Sequence, residues 1–203
     1  MPRVSEEHLE RRRRQILDAA RTCFIRKGIH ATSMQDIFAE AGLSAGAVYR
    51  YYKSKNEIIE ANISTVVGDL HAFFRGLADG DPLLPVDEMI ERLASKIVTL
   101  SGENGPIRLA LDAWALAMHD PEIAAHIAGT ITGIRETWTH YLRRLAGAGH
   151  LPPGTDVVAA GKVMFAILPG FVLQRLILKD VSPAELRRGL RAVISGSMLT
   201  ETV

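Results

Sequence analysis

The sequence predicts an all-α protein of about nine helices, organised as a three-helix N-terminal head and a helical-bundle body. Three observations carry this. Apolar residues recur at three- and four-residue spacing along most of the 203 residues, and alternating runs of strand length are nearly absent. Helix-capping residues stand before these stretches, and Asp120-Pro121 and Ser182-Pro183 set a cap directly ahead of a first-turn proline. Breakers such as Gly28, Gly42, Asp79-Gly80-Asp81-Pro82 and the Gly147 to Gly154 loop separate them.

Taken in order, Ile16, Ala19, Ala20, Cys23 and Phe24 make one apolar stripe, which predicts a helix over 6–27 that ends at Gly28. Ser33 caps a short helix carrying Met34, Ile37, Phe38 and Ala41, and Gly42 stops it. Ser44 caps a second short helix, 45–52. Ser54 with Glu57 forms a capping box for a long helix running to about Leu77. Further helices are expected at 86–100, 106–118, 121–146, 156–179 and 183–199. The head is placed at 1–54, with its helix-turn-helix at about 33–52, and the body at 55–203.

Composition narrows the function classes. Hydrophobic residues are 47% and charged residues 23%, an ordinary globular balance. The longest apolar run, Val163 to Leu173, is broken by Pro169 and Gly170 and is short of the roughly 20 residues a bilayer needs, so no membrane partner is expected. No apolar signal segment follows the charged start, and the single Cys23 excludes an internal disulfide. A cytoplasmic protein is expected. Residues 1–60 carry a net +3 and the remainder −2, a mildly basic head that permits phosphate binding without requiring it. There is no GxGxxG, Walker loop, GxSxG or HExxH. Glu122 and His126 stand one turn apart and His119 two turns from His126, but no third ligand is predictable for either pair, and a surface reading is favoured. Neither enzyme activity, cofactor nor metal is expected.

Residues 32–55 carry the functional signal. Two short helices joined by a glycine turn have helix-turn-helix spacing. Ile37, Ala41, Leu43 and Val48 supply apolar locks between them. Outward positions of the second helix, Ser44, Ala45, Gly46, Tyr49 and Arg50, are small or polar, which lets its backbone approach a DNA groove. Tyr49, Tyr51 and Tyr52 offer hydroxyls to phosphate oxygens, and Lys53 and Lys55 add charge.

At these residues the sequence resembles the tetracycline-repressor (TetR) family of bacterial regulators. The resemblance lies in Thr32-Ser33, Asp36-Ile37, Glu40-Ala41-Gly42-Leu43-Ser44, Gly46, Val48-Tyr49-Arg50-Tyr51-Tyr52 and Lys53-Ser54-Lys55-Asn56-Glu57. With the preceding helix it covers about a quarter of the chain. It implies a homodimer with a DNA-binding head and a ligand-binding body. By motif position it implies phosphate contacts from Thr32, Tyr49, Tyr51 and Lys55, and groove-facing positions at Ala45, Gly46 and Arg50. Ser33, Ser44 and Lys53 complete the DNA-binding set. Two departures stand out: Ala45 replaces a common lysine, and Phe38 replaces a common small alanine. The ring at 38 either changes the helix crossing or fills the head's core. Arg11 to Arg14 is either a solvated face or a DNA-proximal one.

In the body, the 156–179 helix is apolar almost all round and needs partners on two sides. Together with the stripe on the last helix, which includes Ser197, it resembles the family's dimer interface, here Val163, Ile167, Phe171, Leu186, Leu190, Val193 and Ile194. Its alternative is the core of a single protomer. Pocket candidates are Phe73, Phe74, Met89, Trp114, Met118, Trp138, Tyr141, Met164 and Phe165, a set that suits an adaptable apolar ligand. Asp112 either meets a cationic ligand or pairs with Arg108 one turn away. The function expected is a ligand-responsive transcriptional regulator, a repressor released from double-stranded operator DNA by a small hydrophobic or amphipathic effector. The alternatives are an activator, a ligand-independent regulator, or a helical binding protein or enzyme with a vestigial head.

Overall fold

The structure, a computed structural model, describes residues 6–102 and 105–194. The described residues form nine α-helices and no strand: α1 (Glu6–Lys27), α2 (Met34–Ala41), α3 (Ala45–Tyr49), α4 (Lys55–Ala78), α5 (Val86–Thr99), α6 (Leu109–Ala117), α7 (Pro121–Gly147), α8 (Val157–Ile177) and α9 (Pro183–Ile194). A 3₁₀ turn, Pro106–Arg108, opens the stretch predicted as one helix over 106–118. The predicted end of α9, with Ser197, lies outside the described residues. The chain divides into two compact units, one holding the residues up to Gly68 with 103–128, the other holding 69–102 with those from 129 on.

The first unit is built on α1. Its periodic stripe buries Ile16, Leu17, Ala19, Ala20, Cys23 and Phe24, while Glu6, Glu7 and Arg26, Lys27 oppose the helix dipole at its two ends. Gly28, at φ +82°, turns the chain out of the helix. Ser33 and Asp36 form a full capping box on α2. The Asp36 carboxylate also takes the Lys27 ammonium, and those two partners, Lys27 first, hold its carboxyl well below the usual range. Gln15 reaches across to donate to the Ala41 carbonyl at 2.8 Å, and Arg26 pairs with Glu40 at 3.1 Å.

Farther along the first unit, Asn56 Nδ2 donates to Asp120 Oδ2 at 2.9 Å. The other oxygen of Asp120 accepts from the backbone of Glu122 and Ile123 and so starts α7. His126, weighed above beside Glu122 and His119, has its Nε2 2.9 Å from Ser64 Oγ.

In the second unit, Phe74, Trp138 and Tyr141 stack at the centre, with Phe74 and Trp138 centroids 4.5 Å apart. Met89, Ile90, Leu93, Ala94 and Ile97 of α5 are buried with them. Tyr141 Oη donates to Leu84 O at 2.6 Å, and the Arg144 guanidinium caps the end of α4 through Ala78 O and Gly80 O. Gly161 lets α8 approach α7: a Cβ there would stand 2.8 Å from Thr139 Oγ1. An ion cluster fastens α9 to α5. Asp87 accepts from Arg187 at 2.8 Å and from Arg191 at 2.6 Å, and Glu91 accepts from Arg187 at 2.6 Å. Burial alone would raise the Asp87 carboxyl, but the two guanidinium groups outweigh it and hold it below the usual range.

α8 modifies one sequence expectation. As a continuous 21-residue helix of mean hydropathy 1.8, it is long and apolar enough by composition to cross a membrane. Counting only the run from Val163 to Leu173 missed this, because the helix extends to Val157 and Ile177 and averages over Gly161 and Lys162.

Two stability predictions follow from this packing. Gly161→Val should lower stability by about 1–2 kcal/mol, since overpacking against Thr139 exceeds the helix-propensity gain. Gly129→Ala, where an added Cβ meets nothing within 4 Å, should stabilise by about 0.5–1 kcal/mol; thermal unfolding of both variants checks the contrast. Asp87→Ala should cost about 1–3 kcal/mol, towards the lower end because the Arg191 side chain is 63% exposed. The Asp87 carboxyl is depressed in the folded state, so its contribution is full above the ordinary carboxylate range and fades as the pH falls below it. Unfolding followed from pH 7 to 3 should show the gap between wild type and variant closing.

Candidate nucleic-acid interface

The helix-turn-helix spans α2, the turn at Gly42 and α3. Gly42 adopts φ +62°, a left-handed conformation that costs most side chains energy. There its N–H meets Ala39 O, and the N–H of Leu43 returns to Phe38 O at 3.1 Å. Ser44 caps α3 by accepting from Ala47 N at 3.3 Å. Val48, fully buried, seats the helix, and Ile37 and Ala41 are buried on α2. α3 is shorter than the predicted 45–52. The N–H groups of both Tyr51 and Tyr52 converge on Val48 O, which closes the helix at Tyr49. The Ser54 cap accepts from Glu57 N as expected, but the Glu57 carboxylate takes Lys53 N, one residue earlier than a standard box.

Ser33, Ser44, Ala45, Gly46, Tyr49, Arg50 and Lys53 are exposed. A Cβ built on Gly46 would meet nothing within 4 Å, so open space lies before α3. Lys53 folds back to donate to the Tyr49 carbonyl at 2.5 Å. Tyr51 and Tyr52 are half-buried, and burial raises the Tyr52 phenol, keeping its proton available for donation.

Two residues expected to contact phosphate have other work. Thr32 is 2% exposed and its hydroxyl donates to Gly28 O at 2.8 Å. The Lys55 ammonium donates to Ile29 O at 3.1 Å and Thr32 O at 3.0 Å. Carbonyls left over after α1 need donors, and these two side chains supply them. Arg11 to Arg14 find neighbours on their own helix: His8, Gln15 and Glu10.

Phe38 does not fill the head's core. It is half-buried on α2, and its ring and that of Tyr49 meet edge to face, with centroids 5.4 Å apart and planes at 71°. The sequence signal was available: a ring in place of a small residue, one turn before an exposed tyrosine's helix.

The predicted pocket residues fall into both units. Asp112, Trp114 and Met118 belong to the first, where Asp112 is exposed and Met118 is 80% exposed. Phe74, Met89, Trp138 and Tyr141 are buried core of the second, Phe73 lies at its surface beneath the Lys96 ammonium, and Met164 and Phe165 are half-buried. A cleft of about 330 Å³ in the second unit is lined by other residues, among them Leu84, Val86, Leu145, Leu151, Arg191 and Ile194. Of the expected dimer residues, Val163, Val193 and Ile194 are exposed, and Ile167, Leu186 and Leu190 are half-buried. Phe171 is fully buried within the protomer, so it supports α8 from inside rather than facing a partner.

Comparison with known proteins agrees with this geometry. The family model described as bacterial regulatory proteins, tetR family, matches residues 16–61. The model described as BetI-type transcriptional repressor, C-terminal, matches residues 85–197. The HTH-type transcriptional regulator UidR of Escherichia coli (strain K12) is 28% identical over 185 residues, 91% of either chain. Among solved structures, FadR of Bacillus subtilis in complex with stearoyl-CoA aligns with TM-score 0.75 at 20% identity, covering 90% of this chain and 98% of that one. The SmeT–triclosan complex aligns with TM-score 0.75 at 22% identity, covering 91% of both. With both the helix-turn-helix and the bundle matched, the chain belongs to the tetR family of bacterial regulatory proteins, which act as DNA-binding transcriptional regulators.

Proposed function

We propose that the protein is a repressor that binds operator DNA as a homodimer and leaves it when a small, mostly hydrophobic or amphipathic molecule binds the body. The observation that carries the DNA half is the outward face of α3, where Ala45, Gly46, Tyr49 and Arg50 are exposed while Val48 anchors the helix. In this reading Arg50, with Ala45 and Gly46, faces the major groove, and Tyr49, Tyr51 and Lys53 meet the backbone on its flank. Ser33 and Ser44 stand exposed beside them.

Two recognition helices about 34–36 Å apart would read successive major grooves. α8 and α9 support the dimer. Among the described residues, ten large hydrophobics are left exposed, and seven of them lie on α8, its cap and α9. On α8, Ala159, Val163, Ala166, Leu173 and Ile177 make one exposed stripe while Gly161, Leu168 and Val172 are buried. An uncovered apolar stripe of this length marks an interaction surface.

The effector class follows from the aromatic and methionine content of the second unit and draws support from the neighbours, whose solved complexes hold triclosan and stearoyl-CoA. An apolar ligand needs few compensating polar groups once desolvated. Thermal-shift screening of apolar, cationic and anionic compounds, followed by operator release, tests it. Release by small, highly charged anions alone would reverse the assignment.

The gene's own upstream region supplies the first DNA probe, and selection from a random duplex library supplies the second. Arg50→Ala should weaken binding by about 1–3 kcal/mol and relax base preference at one position. Tyr49→Phe should weaken binding to all sequences by about 0.5–1.5 kcal/mol, the worth of one hydrogen bond. Gel shift and fluorescence anisotropy measure both. Val163→Glu places a carboxylate on the α8 stripe, where Val163 is 60% exposed in the protomer and so can be replaced without unfolding it. Sedimentation should then report monomer, since a charge without a partner at a buried seam costs several kcal/mol.

A further inference from the structure

We infer that Phe38 is a positioning residue for operator binding: its ring holds the Tyr49 phenol in the orientation in which that phenol meets the DNA backbone. The inference rests on the reading that Tyr49 contacts DNA, and goes beyond it by assigning the control of that contact to a side chain that touches no DNA itself.

Tyr49 is the last residue of a five-residue helix. No following helical turn covers its side chain, and at 41% exposed it is one of the least covered large side chains of the first unit. Left to itself, such a phenol distributes over several staggered rotamers. The structure removes that freedom from two sides. The Lys53 ammonium donates to the Tyr49 carbonyl, which fixes the backbone from which the ring projects. Phe38 then fixes the ring, edge to face, at 5.4 Å and 71°, the geometry that aligns the positive edge of one ring with the negative face of another.

The support is itself anchored. Phe38 lies on α2, and its carbonyl accepts from Leu43 N across the glycine turn. The distance from the Phe38 backbone to the start of α3 is therefore set by the turn that defines the motif. Ile37, its neighbour on α2, and Val48, the neighbour of Tyr49, are both fully buried, so neither helix can rotate to part the two rings without exposing core. An alanine at position 38 would leave the motif intact and the phenol unsupported. Ordering a side chain before association removes a cost that binding would otherwise bear.

The test is a double-mutant cycle on the duplex that the wild-type protein selects from a random library. The four proteins are wild type, Phe38→Leu, Tyr49→Phe and the double variant, each checked for folding by thermal unfolding. Phe38→Leu keeps apolar volume but removes the aromatic edge, and should weaken binding about three- to tenfold, the range of an aromatic pair. In the Tyr49→Phe background, where no hydroxyl remains to be aimed, the same change should cost less than twofold. Phe38→Tyr, which keeps the edge, should bind within about twofold of wild type and serves if the leucine variant unfolds: its binding is then compared with Phe38→Met, which should lose what Phe38→Leu was expected to lose.

Independent, additive losses would overturn the inference, since Phe38 would then act on folding or on DNA by itself. So would an unchanged affinity in folded Phe38→Leu or Phe38→Met. If Tyr49→Phe alone binds like wild type, the assignment of Tyr49 to the DNA falls, and this inference with it, whereas additivity with an effective Tyr49→Phe removes only the role of Phe38.

Discussion

The recognition helix cannot exist by itself. Five residues make scarcely more than one turn, and helix nucleation in water is far too costly for a segment of that length to hold its shape. α3 is a helix because Val48 is buried, because Ser44 caps its start and because Gly42 accepts a left-handed conformation that sets its approach. The exposed face of α3 is thus a by-product of the packing of α1 and α2. Gln15 holding the Ala41 carbonyl, Arg26 holding Glu40 and Lys27 holding Asp36 extend the same constraint along α2.

This constraint explains how the basic and hydroxylic residues of the head are shared out. A motif rich in lysine, threonine and tyrosine invites the reading that each contacts phosphate. The fold spends some of them on its own backbone. Thr32 and Lys55 satisfy carbonyls around the exit from α1, which would otherwise lack donors in a half-buried loop. Arg11 to Arg14 are engaged along their own helix. What stays exposed near α3 is a smaller set, centred on Tyr49, Arg50 and Lys53.

The second unit balances differently. Its aromatic centre is closed by hydrogen bonds from Tyr141 and Arg144 to backbone carbonyls, and α9 is held by charges rather than by apolar contact alone. Fastening a helix through Asp87, Glu91, Arg187 and Arg191 leaves part of its apolar face uncovered by the protomer. Val193 and Ile194 remain 49% and 57% exposed, and α8 carries an uncovered stripe of its own.

Much of this was legible in the residues. The bounds of α1 follow from its stripe and Gly28, the start of α2 from the Ser33 cap, and the family resemblance from the motif between Thr32 and Glu57, because all of these depend on contacts within a few positions of the chain. The partners that join distant positions were not legible. Lys55 finds Ile29, Asp87 finds Arg191, and Phe171 turns inward rather than outward. A helical period says that one face is apolar, but on a helix apolar all round, like α8, it gives no phase. Packing against α5, and against α7 through Gly161, fixes which side is buried. The sequence by itself determined that the chain is helical, where its motif lies and which chemistry the motif offers; tertiary structure alone decided which of those side chains are left free to use it, since a donor consumed by a distant carbonyl looks the same in sequence as one facing solvent.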